Sequence, residues 1–229
     1  VFIHCNPHNP VGHVWTEEEM ARLFSICEQH NVLIISDEIH QDLITGSTPF
    51  TSALSVSNGI YVDHVISLSS VSKSFNMASL HQAEVMIPNE ALRHQYNAYK
   101  AQVYHTDADV IAETAITAAY THPEAEAWLD DVRAVIRENY EYLCNELLSA
   151  LPKLRISPMD GTYLAWIDFG AYVRAEDMHD LFENQCRIAP SFGEWFGGES
   201  YATFVRLNLA TSLANIKTAT HSIINHIRP

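Results

Sequence analysis

The sequence predicts an α/β protein: a mostly parallel sheet covered by helices, followed by a smaller α+β domain. Three observations carry this. Short continuous apolar runs alternate with helical stretches through the first third of the chain. One long helical pattern opens at Pro123 and closes at Pro152. Beyond it the pattern changes to short strands with one helix among them and another at the end.

The elements follow in order. Residues 1–5, VFIHC, read as a buried strand already under way at the first residue. NPHNPVG (6–12) is a rigid loop of prolines and a glycine. Thr16 with Glu19 forms a capping box that opens a helix through about His30, with Met20, Leu23, Phe24 and Cys27 on one face. NVLIIS (31–36) is apolar on both faces, which suits a parallel strand with helices above and below. HVISLSS (64–70) and QAEVMI (82–87) read as further strands of this kind. The chain reads as helical from Asn89 to about Ala150, with Trp128, Leu129, Val132, Val135, Ile136, Tyr140, Leu143 and Leu147 as the apolar side of the helix that begins at Pro123. KLRIS (153–157), TYLAWIDF (162–169) and TFVRLNLA (203–210) are short strands. Helices are expected near Ala175–Cys186 and over Leu213–Ile227. The predicted domains are therefore 1–127 and 128–229, joined through the long helix.

Composition removes several function classes. The 229 residues hold 28 acidic and 13 basic side chains, a net charge of −15 that disfavours a nucleic-acid backbone or an anionic membrane as partner. No apolar run approaches the roughly 18 residues of a membrane span. Cys5, Cys27, Cys144 and Cys186 lie far apart and read as thiols of a cytoplasmic protein. The eight glycines form no dinucleotide-binding or P-loop signature. His4, His8 and His13 straddle a strand end and a proline loop, which makes convergence on one ion awkward, so no metal site is predicted.

Four positions carry chemistry. Asn9 follows the first strand, Asp37 ends the second and Lys73 lies just past the third. Ligands of open parallel sheets bind outside the carboxyl ends of the strands, so these residues could share a crevice. Lys73 is one of four lysines, and it alone sits in a serine-rich strand-end loop between apolar flanks. A lysine so placed can form a Schiff base. Arg206 lies in an apolar strand, where a bidentate carboxylate suits it. The plain alternatives are a lysine facing water, a carboxylate bracing a loop and an internal salt bridge at Arg206.

The segments NPHNPVG, SDEIHQDL, SSVSKSFNMASL, GTYLAWIDF and FVRLNLA, in this order, resemble the fold-type I enzymes that use pyridoxal phosphate (PLP). They look most like the MalY/PatB type of cystathionine β-lyase (C–S lyase), related to class I/II aminotransferases. The resemblance implies a fold made of the C-terminal part of a large three-layer α/β/α domain plus a small α+β domain, with about 150 further residues before Val1. It implies that Lys73 holds PLP and shuttles the Cα proton, that Asp37 pairs with the pyridine nitrogen and that Asn9 bonds the phenolic oxygen. Ser70 and Ser72 would help hold the phosphate, and Arg206 would clamp the substrate carboxylate. His40 would contact the cofactor where typical aminotransferases carry tyrosine, and this lyase-like Asp-Glu-Ile-His favours elimination.

Two positions depart from the pattern. Ser79 replaces a glycine common among relatives, and His81 stands where many aminotransferases place a phosphate-binding arginine. The implied activity is cleavage of L-cystathionine or another cysteine S-conjugate to a thiol, pyruvate and ammonia. The alternatives are an aminotransferase of the same fold and a non-catalytic interaction protein. The implied partners are a small amino-acid substrate and a second copy in a homodimer.

Overall fold

Parallel pairing organises the first half of the chain. The structure, a computed structural model, describes residues 1–103 and 109–227. Strands β1 (Phe2–Cys5), β2 (Ile34–Asp37) and β3 (Val65–Ser69) run parallel, with Cys5 opposite Asp37 and Asp37 opposite Leu68. β4 (Glu84–Met86) joins β3 antiparallel, completing the order β1-β2-β3-β4. The sequence groups 82–87 with the parallel strands. Its direction is reversed: residues 70–83 hold only the short helix α2 (Val71–Ser74) and a 3-10 turn at Ala78–Leu80, not the long helix that usually carries the chain across the sheet for a parallel return.

Helix α1 (Glu17–Gln29) starts where the capping box places it. The Glu19 N–H donates to Thr16 Oγ1 at 3.2 Å, and the Thr16 N–H donates back to Glu19 Oε2 at 2.8 Å. Met20, Phe24 and Cys27 bury against Ile34, Ala53, Val56, Tyr61 and Val65, with Leu23 at the margin. Burial alternates along β2 and β3, and Ile3 of β1 is 72% exposed. The expectation of full cover on both faces is thus corrected: α1 packs one face, and the described residues only half-cover the other.

The predicted helical stretch divides into α3 (Glu90–Val103), α4 (Val110–Thr121) and α5 (Pro123–Ala150). The part of that reading on 104–108 lies outside the described residues. Asp109 caps α4, its Oδ1 accepting from the Ile111 N–H at 2.8 Å. Along α5 the buried stripe is Leu129, Ile136, Asn139, Leu143 and Leu147. Trp128 and Val135, expected on that side, are 46% and 43% exposed.

The chain divides into two units, one of Val1–Pro7 with Val14–Asp130, the other of His8–His13 with the chain from Asp131 onward. In the second, β5 (Arg155–Ile156), β6 (Leu164–Asp168), β7 (Ser191–Phe192) and β8 (Phe204–Asn208) form an antiparallel sheet in the order β5-β6-β8-β7. Short α6 (Glu194–Gly197) and long α7 (Leu213–Ile227) complete it. The helix expected near Ala175–Cys186 is a short 3-10 turn and then a π-wound segment over Asp180–Gln185. There the Asn184 and Gln185 side chains bond back to the Asp180 carboxylate, and the Cys186 N–H reaches Leu181 O.

The proline loop straps onto this unit. Gly12 O accepts from the N–H groups of Asp160 and Gly161, both at 3.0 Å. Gly12 has φ +78°, and a Cβ there would meet Met159 Cα at 3.1 Å, so glycine is required. The Asn6–Pro7 and Asn9–Pro10 bonds are cis. None of the four cysteines forms a disulfide. No helix among the described residues is long and apolar enough to cross a membrane.

Asp168 ties the end of the second sheet. Its Oδ1 accepts from the Gly170 N–H at 2.9 Å and Thr203 Oγ1 at 2.7 Å, and its Oδ2 accepts from the Arg155 guanidinium. Burial by itself raises the carboxyl, but these donors and the Arg155 charge outweigh it and hold Asp168 below its ordinary value. A depressed carboxyl stabilises the fold above its unfolded value, and that contribution is lost as pH falls through the folded one. Denaturant unfolding should therefore show stability declining as pH drops from about 5 towards 2, and Asp168→Asn should flatten part of that slope.

Candidate active site

In the first unit, parallel pairing brings the exits of β1, β2 and β3 to one edge of the sheet. Asp37 is half-buried there. Its Oδ1 accepts from the Ile39 N–H at 3.1 Å, and its Oδ2 takes no hydrogen bond among the described residues. The neighbouring Glu38 is wholly buried and fully used. It accepts from Ser36 Oγ at 3.0 Å, Ser52 Oγ at 2.8 Å and the Ala53 N–H at 2.7 Å. Strand alternation turns adjacent carboxylates to opposite duties: Glu38 anchors the loop at 52–53, and Asp37 keeps an oxygen for something else. His40 is buried in the turn that follows.

Lys73 lies in α2, directly after β3. Ser70 caps this turn, its Oγ accepting from the Ser72 N–H at 3.1 Å and donating to Gln82 O at 2.7 Å. Val71 and Ser74 are buried, and Ser72 and Lys73 are half-buried. Neither the Ser72 hydroxyl nor the Lys73 amine has a hydrogen-bonding or ionic partner among the described residues.

Asn9 and Arg206 belong to the second unit. Arg206 of β8 is half-buried, opposite Trp166 on one side and Ser191 on the other. Its Nη1 donates to Asn9 Oδ1 at 2.7 Å and its Nη2 to Ser191 Oγ at 2.9 Å. The Phe196 ring covers the guanidinium, with Cζ 4.7 Å from the ring centroid. The internal salt bridge left open by the sequence is absent, since no carboxylate pairs with Arg206 among the described residues. Burial lowers the Arg206 pKa, with Tyr163 acting weakly against it. A half-buried cation with only neutral partners suits an anionic group.

Sequence reasoning missed Ser191 and Phe196, which join Arg206 through strand pairing and a returning loop rather than through any motif. The aromatic set around Arg206 is tight: Trp166 lies 5.5 Å from Phe196 and 5.2 Å from Phe204, ring centre to ring centre.

Comparison with known proteins shows the family. The profile of the aminotransferase class I and II family matches residues 1–223, and the chain belongs to that family. It is 33% identical over 220 residues to the cystathionine beta-lyase PatB of Bacillus subtilis, covering 95% of this chain and 55% of that protein. It is 33% identical over 230 residues to the protein MalY of Escherichia coli, covering 100% of this chain and 57% of that protein. The PLP-bound C-S lyase of Staphylococcus hominis shares the fold with a TM-score of 0.89 at 29% identity, over 98% of this chain and 57% of that one. The chain thus spans about half the length of the curated relatives it matches.

The wall beside Arg206 is testable. A Cβ on Gly193 would sit 2.2 Å from Tyr201 O and 2.6 Å from Phe204 Cβ. Gly193→Ala must push back the Tyr201–Phe204 segment and should cost about 2–3 kcal/mol in denaturant unfolding.

Proposed function

We propose that the protein is a PLP-dependent C–S β-lyase that cleaves L-cystathionine or a related cysteine S-conjugate. The observation that carries this reading is a pair of cations with no counter-ion among the described residues: the amine of half-buried Lys73 in a pinned turn, and the Arg206 guanidinium held by neutral groups. The likeness to proteins named cystathionine beta-lyase and C-S lyase directs the choice of reaction. His81, where many aminotransferases carry arginine, supports the same choice.

The available side chains fit the cofactor. Lys73 Nζ would hold it, and the uncommitted Asp37 Oδ2 would accept from its ring N–H and keep that nitrogen protonated. Asn9 has given its oxygen to Arg206, and its remaining Nδ2 amide is the group that would donate to the ring oxygen on this reading. The Ser72 hydroxyl is available to the phosphate. The Ser70 proton goes to Gln82 O, so Ser70 serves chiefly to shape the turn. His40, buried in the turn after Asp37, would contact the cofactor on this reading.

Bound there, PLP supplies an electron sink for the charge left at Cα when its proton is removed. Arg206 binds the substrate carboxylate, and its rigid seat between Asn9, Ser191 and Phe196 limits how that carboxylate can turn. Lys73 Nζ takes the Cα proton. The net reaction breaks the Cβ–S bond: L-cystathionine and water give homocysteine, pyruvate and ammonia. A cytoplasmic homodimer is the setting this reading expects.

Borohydride reduction of the PLP-loaded full-length protein should leave a pyridoxyl group on the peptide carrying Lys73. Lys73→Ala should remove that label and lower kcat by about 10³-fold or more. Cystathionine should yield pyruvate without added keto acid. Keto-acid-dependent amino transfer without pyruvate would overturn the lyase assignment, and no label on Lys73 would overturn the cofactor assignment.

A further inference from the structure

The Lys73 turn is held from both ends, and the second anchor is a carboxylate outside the site described above. Asp42 lies five residues past Asp37, in the turn after β2. Its Oδ2 accepts from Ser74 Oγ at 2.7 Å and from the Tyr120 hydroxyl at 2.9 Å. Ser74 is the residue after Lys73 and is 1% exposed. Phe75 continues the anchorage, stacked on Trp128 with ring centres 5.8 Å apart and set edge-on to Tyr120 at 5.7 Å. Burial and the nearby Asp42 carboxylate push the Tyr120 hydroxyl up, so it stays protonated and remains a donor. Three segments distant in sequence, the turn after β2, α2 and α4, thus converge on one oxygen.

We propose that Asp42 is a positioning residue: by accepting from both Ser74 and Tyr120, it fixes the turn that carries Lys73 and so sets where the lysine amine stands. The reasoning is geometric. Within 70–75, Ser70, Ser74 and Phe75 are each tied to another segment, and only Ser72 and Lys73 present free polar ends among the described residues. A four-residue helix cannot hold its own shape in isolation, so the ties must come from outside it. Asp42 touches none of the reacting groups and acts through Ser74. The inference rests on the reading of Lys73 as the cofactor-bearing lysine.

The test uses the full-length protein and the variants Asp42→Ala, Asp42→Asn, Ser74→Ala, Tyr120→Phe and the last two combined. In the cofactor-free protein, Asp42→Ala should speed amide hydrogen exchange at 71–75 by roughly 10-fold, with the α1 amides unchanged. In the PLP-loaded protein it should lower kcat on cystathionine roughly 10- to 100-fold, with KM within about twofold. Asp42→Asn keeps an oxygen that accepts both hydroxyls and should restore most of kcat. Ser74→Ala with Tyr120→Phe should match Asp42→Ala, with non-additive single effects. If Asp42→Ala does not fold, this hydroxyl series decides. Unchanged kcat and exchange in variants of a protein that still labels at Lys73 would overturn the proposal alone. So would a loss that appears only as lower thermal stability. Absence of label in the unaltered protein would instead overturn the reading beneath it.

Discussion

The parallel pairing of β1, β2 and β3 is the constraint on which the first unit depends. Parallel strands leave a sheet at a common edge, and the register sets Cys5, Asp37 and Leu68 side by side at that edge. Everything with chemical potential in this unit hangs from the few residues that follow. Asp37 ends β2, and the turn of α2 follows β3 directly. β4 returns antiparallel after a connection that builds only short helical turns and no crossover helix.

The described cations differ in what they meet. Arg137, Arg155 and Arg174 each meet a carboxylate, as structural or surface cations do. Among the described residues, Lys73 and Arg206 are half-buried without one. Partial desolvation without a counter-charge is unfavourable in isolation, and it becomes useful when a ligand brings the missing charge or the amine must react. The second unit builds this condition from neutral parts: an amide oxygen, a hydroxyl and an aromatic face around one guanidinium. Packing keeps those parts in place, since Gly193 and Gly197 leave no room for a side chain against Tyr201.

The alternation of strands, the capped start of α1, the Pro123 start of α5 and the extent of α7 were legible in the sequence, because each rests on local chemistry or periodicity. Candidate residues were legible for a related reason: a lysine in a serine-rich strand end and an arginine in an apolar strand both break the local pattern. The direction of β4, the half-open face of the sheet and the π-wound segment at 180–185 were not legible. They depend on what a connection builds, on what covers a face and on side chains that bond back across a turn.

The sequence by itself thus determined which residues carry charge where charge is costly, and in which order the elements run. Only the tertiary structure decided what each polar group does. Asp37 and Glu38 are adjacent carboxylates of near-equal chemistry, yet one is consumed by Ser36, Ser52 and Ala53 while the other keeps an oxygen free. Ser70, Ser72 and Ser74 are three serines around one lysine, and burial gives them separate tasks. Hydrogen bonds between segments far apart in sequence make these distinctions, and no local pattern encodes them.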